Sequence, residues 1–254
     1  MLLALTRPVP PAIVRCELTH LVREPIDVAR AQAEHAAYEA ALAELGCEVR
    51  RLAAEPELPD SVFVEDAAVV VDECAVIARP GAVSRRAEVR SVADALGEYR
   101  RLVSIEAPGT LDGGDVLRVG RRIFVGISSR TNDAGAAQLA ASLGPLGYSV
   151  ARVAVRGRLH LKSAASALGD DLVLIDSRSV DSAAFGGLAC VGVPLGEEIA
   201  ANVLTIGDAV LCAAGAPRTR ALLEARGWRV LVVESSELAK AEAGLTCCSV
   251  IFRA

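Results

Sequence analysis

The chain has 254 residues, 52% hydrophobic and 23% charged, with a net charge of −5. This mixture describes a globular protein long enough to bury a sizeable core, and it excludes a disordered chain. Without a basic excess, nucleic acid is not an expected partner, whereas a mild acidic excess suits a cationic small molecule.

In chain order, residues 2–5 form a short apolar run that Arg7 and Pro8 end. A signal peptide needs roughly 7–15 apolar residues, and no stretch approaches the ~18 of a membrane helix, so a cytoplasmic protein with no membrane partner is expected. An alanine- and glutamate-rich helix is predicted over 28–45, closed by Gly46 and followed by a strand over 47–52. Residues 67–77 read as one continuous buried strand, followed by a helix over 88–96, Gly97 and a strand over 99–105. A strand at 123–125, a helix over 131–143, Gly147 and a strand over 148–153 repeat the pattern. The fourth copy has strands at 172–175 and 188–193 around Gly186-Gly187, with a poorly marked helix. The last has a run at 203–211, a helix over 219–225, Gly227 and a strand over 228–233. Residues 250–252 are expected to pair with 2–5, completing a unit from both chain ends. Each glycine is read as a left-handed helix cap.

The pattern is five strand–helix–strand units of roughly 40–50 residues in one α/β domain spanning 1–254. An open doubly wound sheet and a closed ring of five units both fit. Gly113-Gly114 lacks the spacing of a dinucleotide fingerprint and no phosphate-loop lysine motif occurs, which counts against the open nucleotide-binding sheet. Of seven cysteines, Cys16, Cys47, Cys74, Cys190 and Cys212 lie mostly in apolar runs and read as small buried hydrophobes of a reducing compartment.

The remaining two, Cys247-Cys248, stand at the mouth of the last apolar run. If both are in the strand they point to opposite faces, so one is presented and one buried. Two adjacent thiols rarely reach one ion together, which disfavours zinc. His160, in Leu159-His160-Leu161-Lys162, is one of three histidines, and Asp112 lies in Leu111-Asp112-Gly113-Gly114-Asp115. A thiol, an imidazole and a carboxylate are the parts of a nucleophilic hydrolase, although Asp-Gly is also a plain turn signal. Asp60, Glu65 and Asp66 lead into an apolar run and need cationic partners, from a substrate or from Arg85, Arg86 and Arg130. Arg130 precedes a predicted helix start, where the dipole disfavours a cation; a ligand carboxylate gives it a role.

Six segments together resemble the dimethylarginine dimethylaminohydrolase family of the pentein superfamily. They are Leu-Pro-Asp-Ser-Val-Phe-Val-Glu-Asp (58–66), Arg-Pro-Gly-Ala-Val-Ser-Arg-Arg (79–86), Leu-Asp-Gly-Gly-Asp-Val-Leu (111–117), Ser-Arg-Thr-Asn (129–132), Leu-His-Leu-Lys-Ser (159–163) and Leu-Thr-Cys-Cys-Ser-Val (245–250). The resemblance implies a pentein α/β-propeller of five ββαβ-type units and hydrolysis of Nω-methylated arginine to citrulline and an amine, with no metal or organic cofactor. It implies that Cys247 is the nucleophile, His160 the general acid/base and Asp112 the group orienting it. Asp66, helped by Glu65, would clamp the guanidinium. Arg85 and Arg130 would hold the α-carboxylate, Asp60 and the backbone of Leu18 the α-amino group, and Ala241 would offer a backbone contact. The oligomer is a monomer or homodimer. An arginine deiminase is the nearest alternative; there a second aspartate stands where this chain has Lys162. A non-enzymatic ring protein would have no use for the thiol, imidazole and carboxylate.

Overall fold

The computed structural model describes residues 1–254 as five three-stranded sheets. The N-terminal unit contains β1 (Leu2–Thr6), α1 (Val28–Glu44) and β2 (Cys47–Arg51). The second has β3 (Ala68–Val70), β4 (Cys74–Ile77), α2 (Val89–Gly97) and β5 (Arg101–Ser104). The third has β6 (Val116–Val119), β7 (Arg122–Ile127), α3 (Asp133–Leu143) and β8 (Ser149–Ala154). The fourth has β9 (Ala165–Ala167), β10 (Leu172–Ile175) and β11 (Ala189–Gly192). The fifth has β12 (Leu204–Ile206), β13 (Ala209–Ala213), α4 (Pro217–Glu224) and β14 (Arg229–Val233). A short α5 (Ser236–Ala239) follows, and β15 (Val250–Arg253) returns to pair antiparallel with β1, Leu3 opposite Phe252.

Every sheet repeats one rule: the middle strand is antiparallel to one neighbour and parallel to the other. Parallel neighbours require a crossover, and a helix supplies it in four units. In the fourth the crossover is only a 3-10 turn, Ser182–Phe185, closed by left-handed Gly186, which explains the missing helical signal there.

The apolar runs have a specific cause. Each middle strand is buried on both faces, and alternate residues enter different cores. Leu3 and Leu5 join Ala75 and Ile77 in one cluster, while Cys74 and Val76 join Ile123 and Val125 in the next. Phe124 packs with Val173 and Ile175, Leu174 with Val210 and Cys212, and Leu211 with Ala4. Five cores, one between each neighbouring pair of sheets, close a ring and exclude the open sheet.

Several boundaries differ from the sequence reading. The runs at 67–77 and 203–211 are hairpins: polar Asp72-Glu73 and left-handed Gly207 break them into paired strands. β6 and β9 are too short to show a period. Gly46, Gly147 and Gly227 adopt positive φ as caps require, but Gly97 does not; it remains the last residue of α2, and Glu98 follows in right-handed geometry. Residues 246–248 are a 3-10 turn preceding β15, so the strand alternation assumed for Cys247 and Cys248 does not hold, and both thiols are buried. All seven cysteines are free. No helix is long and apolar enough to cross a membrane.

Candidate active site

Short 3-10 turns hold or adjoin most of the candidate side chains. Asp66 lies in Val64–Ala67 before β3, Arg85 in Val83–Glu88 before α2, and Cys247 in the turn before β15. Asp112 and His160 each immediately precede such a turn, in the third and fourth units. Side chains from four of the five units thus converge: Asp66 and Arg85 from the second, Asp112 from the third, His160 from the fourth, and Cys247 from the turn before β15, which completes the first. A narrow cavity of about 10 Å³ is lined by Cys247, His160, Asp66, Asp60, Arg85 and Arg130 together with Glu17, Ala241 and Glu242.

His160 Nε2 lies 3.1 Å from Asp112 Oδ2, and Nδ1 lies 3.7 Å from Asp66 Oδ1. Burial opposes the imidazolium, but Asp66 and the hydrogen bond to Asp112 outweigh it and push His160 up to about 9. Burial likewise opposes the Asp66 carboxylate, yet His160, Arg85 and the Gly114 N–H hold it well below the usual carboxylate range. The Cys247 thiol is pushed up to about 12 by burial and then by Glu65 and Asp66; the Gly244 N–H, 3.4 Å from Sγ, works the other way. The resting thiol is therefore protonated at neutral pH.

Asp112 is fully buried, and its Oδ1 accepts the Gly81 N–H at 2.9 Å. Asp115 accepts the Leu161 N–H at 3.0 Å and the Ser128 hydroxyl at 2.6 Å, tying the histidine segment to the third unit. The Gly113-Gly114 pair is not a left-handed turn. A Cβ on Gly113 would lie 2.0 Å from the Glu65 carbonyl, and one on Gly114 would lie 2.6 Å from both Asp66 Oδ1 and His160 Nδ1. Gly114 is glycine because the backbone passes directly behind the Asp66 and His160 side chains, and Gly113 because it lies against the Glu65 and Ala68 carbonyls. Gly114→Ala is expected to force Asp66 and His160 apart and lower kcat by roughly 10²-fold, since ångström-scale misplacement costs that much; steady-state kinetics on the folded variant checks this.

Arg85 is buried and heavily committed. Nη1 donates to Asp66 at 2.6 Å, Nε and Nη2 donate to Glu88, and Nη2 also reaches the carbonyls of Asp60 and Phe63. Burial, only partly offset by Arg85, pushes Glu88 up to about 7. Glu88, three residues from Arg85, escaped the sequence reading; its i,i+3 spacing was the available signal. Arg130 is buried too, but its Nη1 has no hydrogen-bond partner, and Nη2 meets only Thr19 Oγ1 at 3.2 Å. Asp60 accepts the Glu17 N–H. Leu18 is half-buried beside Glu17, and Ala241 lines the cavity.

Glu65 is placed differently from its neighbour Asp66. It accepts Lys162 Nζ at 2.6 Å and the Thr246 hydroxyl at 2.7 Å, and it lines a second cavity of about 520 Å³ that contains neither Cys247 nor His160. The larger cavity is thus not where the reactive groups meet. Asp66, Asp112 and His160 present three donor atoms within 4.8 Å, a possible metal set. Arg85 and Arg130 stand 2.6 and 3.7 Å from two of these carboxylates, which disfavours a divalent metal ion there.

The 19–21 segment is held by Glu242, which lines the cavity and is the one non-glycine residue with positive φ, at 59°. Its carboxylate accepts the N–H groups of Thr19, His20 and Leu21. Removing that acceptor in Glu242→Ala is expected to speed amide exchange at these positions by about tenfold, the loss of roughly 1.4 kcal/mol from charge-assisted bonds; residue-resolved hydrogen exchange checks it.

Residues 21–184 match the family model described as N,N dimethylarginine dimethylhydrolase, eukaryotic. The chain is 42% identical over 254 residues to the N(G),N(G)-dimethylarginine dimethylaminohydrolase of Streptomyces coelicolor, covering 98% of this chain and 96% of that one. It is 36% identical over 228 residues to the Pseudomonas aeruginosa protein of the same name, covering 89% and 90%. A structure of the Pseudomonas enzyme, a cysteine-to-serine variant complexed with citrulline, superposes with a TM-score of 0.93 at 33% identity and 98% coverage of both chains. The N-terminal domain of ArgZ, a cyanobacterial arginine dihydrolase, shares the fold with a TM-score of 0.88 at 17% identity, covering 98% of this chain and 97% of that one.

Proposed function

The chain belongs to the dimethylarginine dimethylaminohydrolase family, and from that membership we propose that it hydrolyses Nω-methylated arginine to citrulline and dimethylamine or methylamine. The observation that carries the reading is the single buried cavity on which Cys247, His160, Asp66, Arg85 and Arg130 converge.

The substrate guanidinium is a cation, and Asp66 is a buried, ionised carboxylate facing it. Lys162 is turned to Glu65, so the guanidinium is gripped by a carboxylate from one side. That leaves room for N-methyl groups, which donate no hydrogen bonds. Arg130, with its free Nη1, takes the substrate carboxylate, with Arg85 beside it; Asp60 and the Leu18 backbone take the α-amino group, and Ala241 adds a contact.

Charge also sets the sequence of steps. After burial, Glu65 and Asp66 are what keep the Cys247 thiol protonated. A guanidinium bound at Asp66 offsets that repulsion and favours the thiolate, whose proton passes to solvent and is balanced by the one the released amine takes up. The thiolate attacks the guanidinium carbon. His160, an imidazolium held by Asp112, gives its proton to the departing amine nitrogen as the carbon–nitrogen bond breaks. This leaves a thiouronium on Cys247 and a neutral imidazole. His160 then takes a proton from water, hydroxide adds to the same carbon, and the sulfur leaves as thiolate, releasing citrulline. The proton of the added hydroxyl passes to that thiolate, so the cycle ends with the imidazolium and the resting thiol restored.

The proposal also places the enzyme in the cytoplasm, as one domain over 1–254, a monomer or homodimer working without metal, nucleic acid or membrane. The seven free thiols support a reducing compartment. The test is citrulline formation from asymmetric dimethylarginine, monomethylarginine and arginine. Turnover of the methylated substrates is expected. Turnover of arginine alone would make this a deiminase, and no citrulline from any of them would assign a different guanidine.

A further inference from the structure

We propose that Asn202, which does not line the cavity, is a positioning residue that holds the nucleophile segment and the histidine segment in fixed relation. The proposal rests on the catalytic roles assigned to Cys247 and His160.

Asn202 lies between β11 and β12 and is buried, 3% exposed. Its side-chain oxygen accepts the Thr246 N–H at 3.1 Å, and its Nδ2 donates to Thr246 Oγ1 at 3.0 Å and to the Lys162 carbonyl at 2.8 Å. Three of the four hydrogen bonds an asparagine amide can make are therefore spent on two segments. Thr246 directly precedes Cys247, and Lys162 is two residues beyond His160. The same two segments meet again at Glu65, which accepts both the Thr246 hydroxyl and Lys162 Nζ. Asn202, Thr246, Glu65 and Lys162 thus close a ring of hydrogen bonds linking segments from separate parts of the fold.

A second contact points the same way. A Cβ on Gly244 would lie 2.3 Å from Asn202 Cγ and within 2.7 Å of both amide heteroatoms. The Gly244 backbone is therefore pressed against this side chain. Its N–H is the group that hydrogen-bonds Cys247 Sγ. Asn202 fixes the turn on both sides of that bond, at Gly244 by packing and at Thr246 by pairing.

Loss of Asn202 frees the 244–248 turn and leaves the Thr246 N–H buried and unpaired. Sγ then loses its donor and its alignment with His160, while Asp60, Asp66, Arg85 and Arg130 keep their partners. The expected split is a fall in kcat of roughly 10²-fold with KM changed less than about threefold, the signature of misaligned chemistry rather than lost binding. Alkylation of substrate-free Cys247 by iodoacetamide, followed across pH, is expected to shift its midpoint upward and slow by about threefold or more at a given pH, because the thiolate loses a donor.

The experiment compares wild type, Asn202→Ala, Asn202→Asp and Ser166→Ala. Asn202→Asp retains an acceptor for the Thr246 N–H but loses both donated bonds, and it serves if the alanine variant does not fold. Ser166 donates to the Ala201 carbonyl and accepts the Val203 N–H, flanking Asn202 with no side-chain hydrogen bond to residues 160–162 or 244–248. It reports what mere destabilisation of this region does. A reduced kcat and a raised alkylation midpoint in the Asn202 variants, both absent in Ser166→Ala, support the proposal. Wild-type kcat and alkylation in a folded Asn202 variant overturn it, as does an equal loss in Ser166→Ala. If wild type makes no citrulline from any arginine derivative, the substrate reading fails while the alkylation comparison still decides the role of Asn202.

Discussion

Serine in place of Cys247 is expected to lower citrulline formation by ~10⁴-fold or more while the fold and substrate affinity persist. The cavity opposes ionisation strongly enough to push even a thiol up to about 12, by burial and then by Glu65 and Asp66. An alcohol, with a far higher intrinsic pKa, is not ionised there by a single bound guanidinium. The substitution is nearly isosteric, so the contacts to Asp66, Arg85 and Arg130 remain. Calorimetric titration of the variant with dimethylarginine should show binding close to the wild-type KM, and mass spectrometry should find no covalent adduct. Activity retained here and lost in Cys248→Ser would move the nucleophile to the neighbouring thiol.

Asn in place of Asp66 is expected to reduce kcat/KM by about 10³-fold, roughly 4 kcal/mol of transition-state stabilisation. Three effects combine. The substrate guanidinium loses its one facing carboxylate, the buried Arg85 loses its 2.6 Å partner, and His160 loses the charge that contributes most to raising it after burial opposes it. The last effect has a separate readout. In wild type the imidazole should titrate near 9, and in the variant its midpoint should move down toward 6.5, seen by NMR of the ring protons. Stability should follow. A histidine whose folded pKa is raised contributes stability that is fully present below about 6.5 and is lost as pH rises through about 9. Wild type should therefore melt at lower temperature at alkaline pH, and the variant less steeply so. Asp66 also raises the Cys247 and Cys248 thiols, so the melting slopes report these groups together and the NMR titration isolates His160. Equal slopes, or an unmoved imidazole, would mean that Asp66 does not govern that proton.

The periodicity made the five-unit repeat legible because every middle strand is buried on both faces and reads as an uninterrupted apolar run. The same property hid the hairpins at 67–77 and 203–211: an apolar pair of strands with a two-residue turn looks like one strand. In the fourth unit a 3-10 turn carries no helical period to detect. Gly97 shows that a glycine after a helical pattern is not always a cap, since its φ depends on how the chain leaves the helix.

Within the site, residue type and local motif were enough to nominate Cys247, His160, Asp112, Asp66 and the two arginines, because ionisable groups beside apolar runs need a reason to be there. Arg85 was among the cations named for these carboxylates and does pair with Asp66 at 2.6 Å, but which carboxylate takes which cation was not legible, and Lys162, the partner of Glu65, was not among those named. Glu65 and Asp66 are adjacent in sequence yet serve different cavities, since a 3-10 turn sends neighbouring side chains in different directions. The Gly113-Gly114 pair read as a turn because its true cause, close approach of Gly113 to the Glu65 carbonyl and of Gly114 to Asp66 and His160, involves groups far away in the sequence. Asn202 and Glu242 carried no signal at all; each acts through contacts to distant segments. The amino-acid sequence by itself determined the repeat, its buried strands and the chemical types gathered for catalysis, because local pattern reports what must be buried or ionised. Which carboxylate faces the thiol, which arginine keeps a free nitrogen and which residues hold the parts in register was decided only by closing the ring, because distances between units are set by the packing of five cores rather than by any one segment.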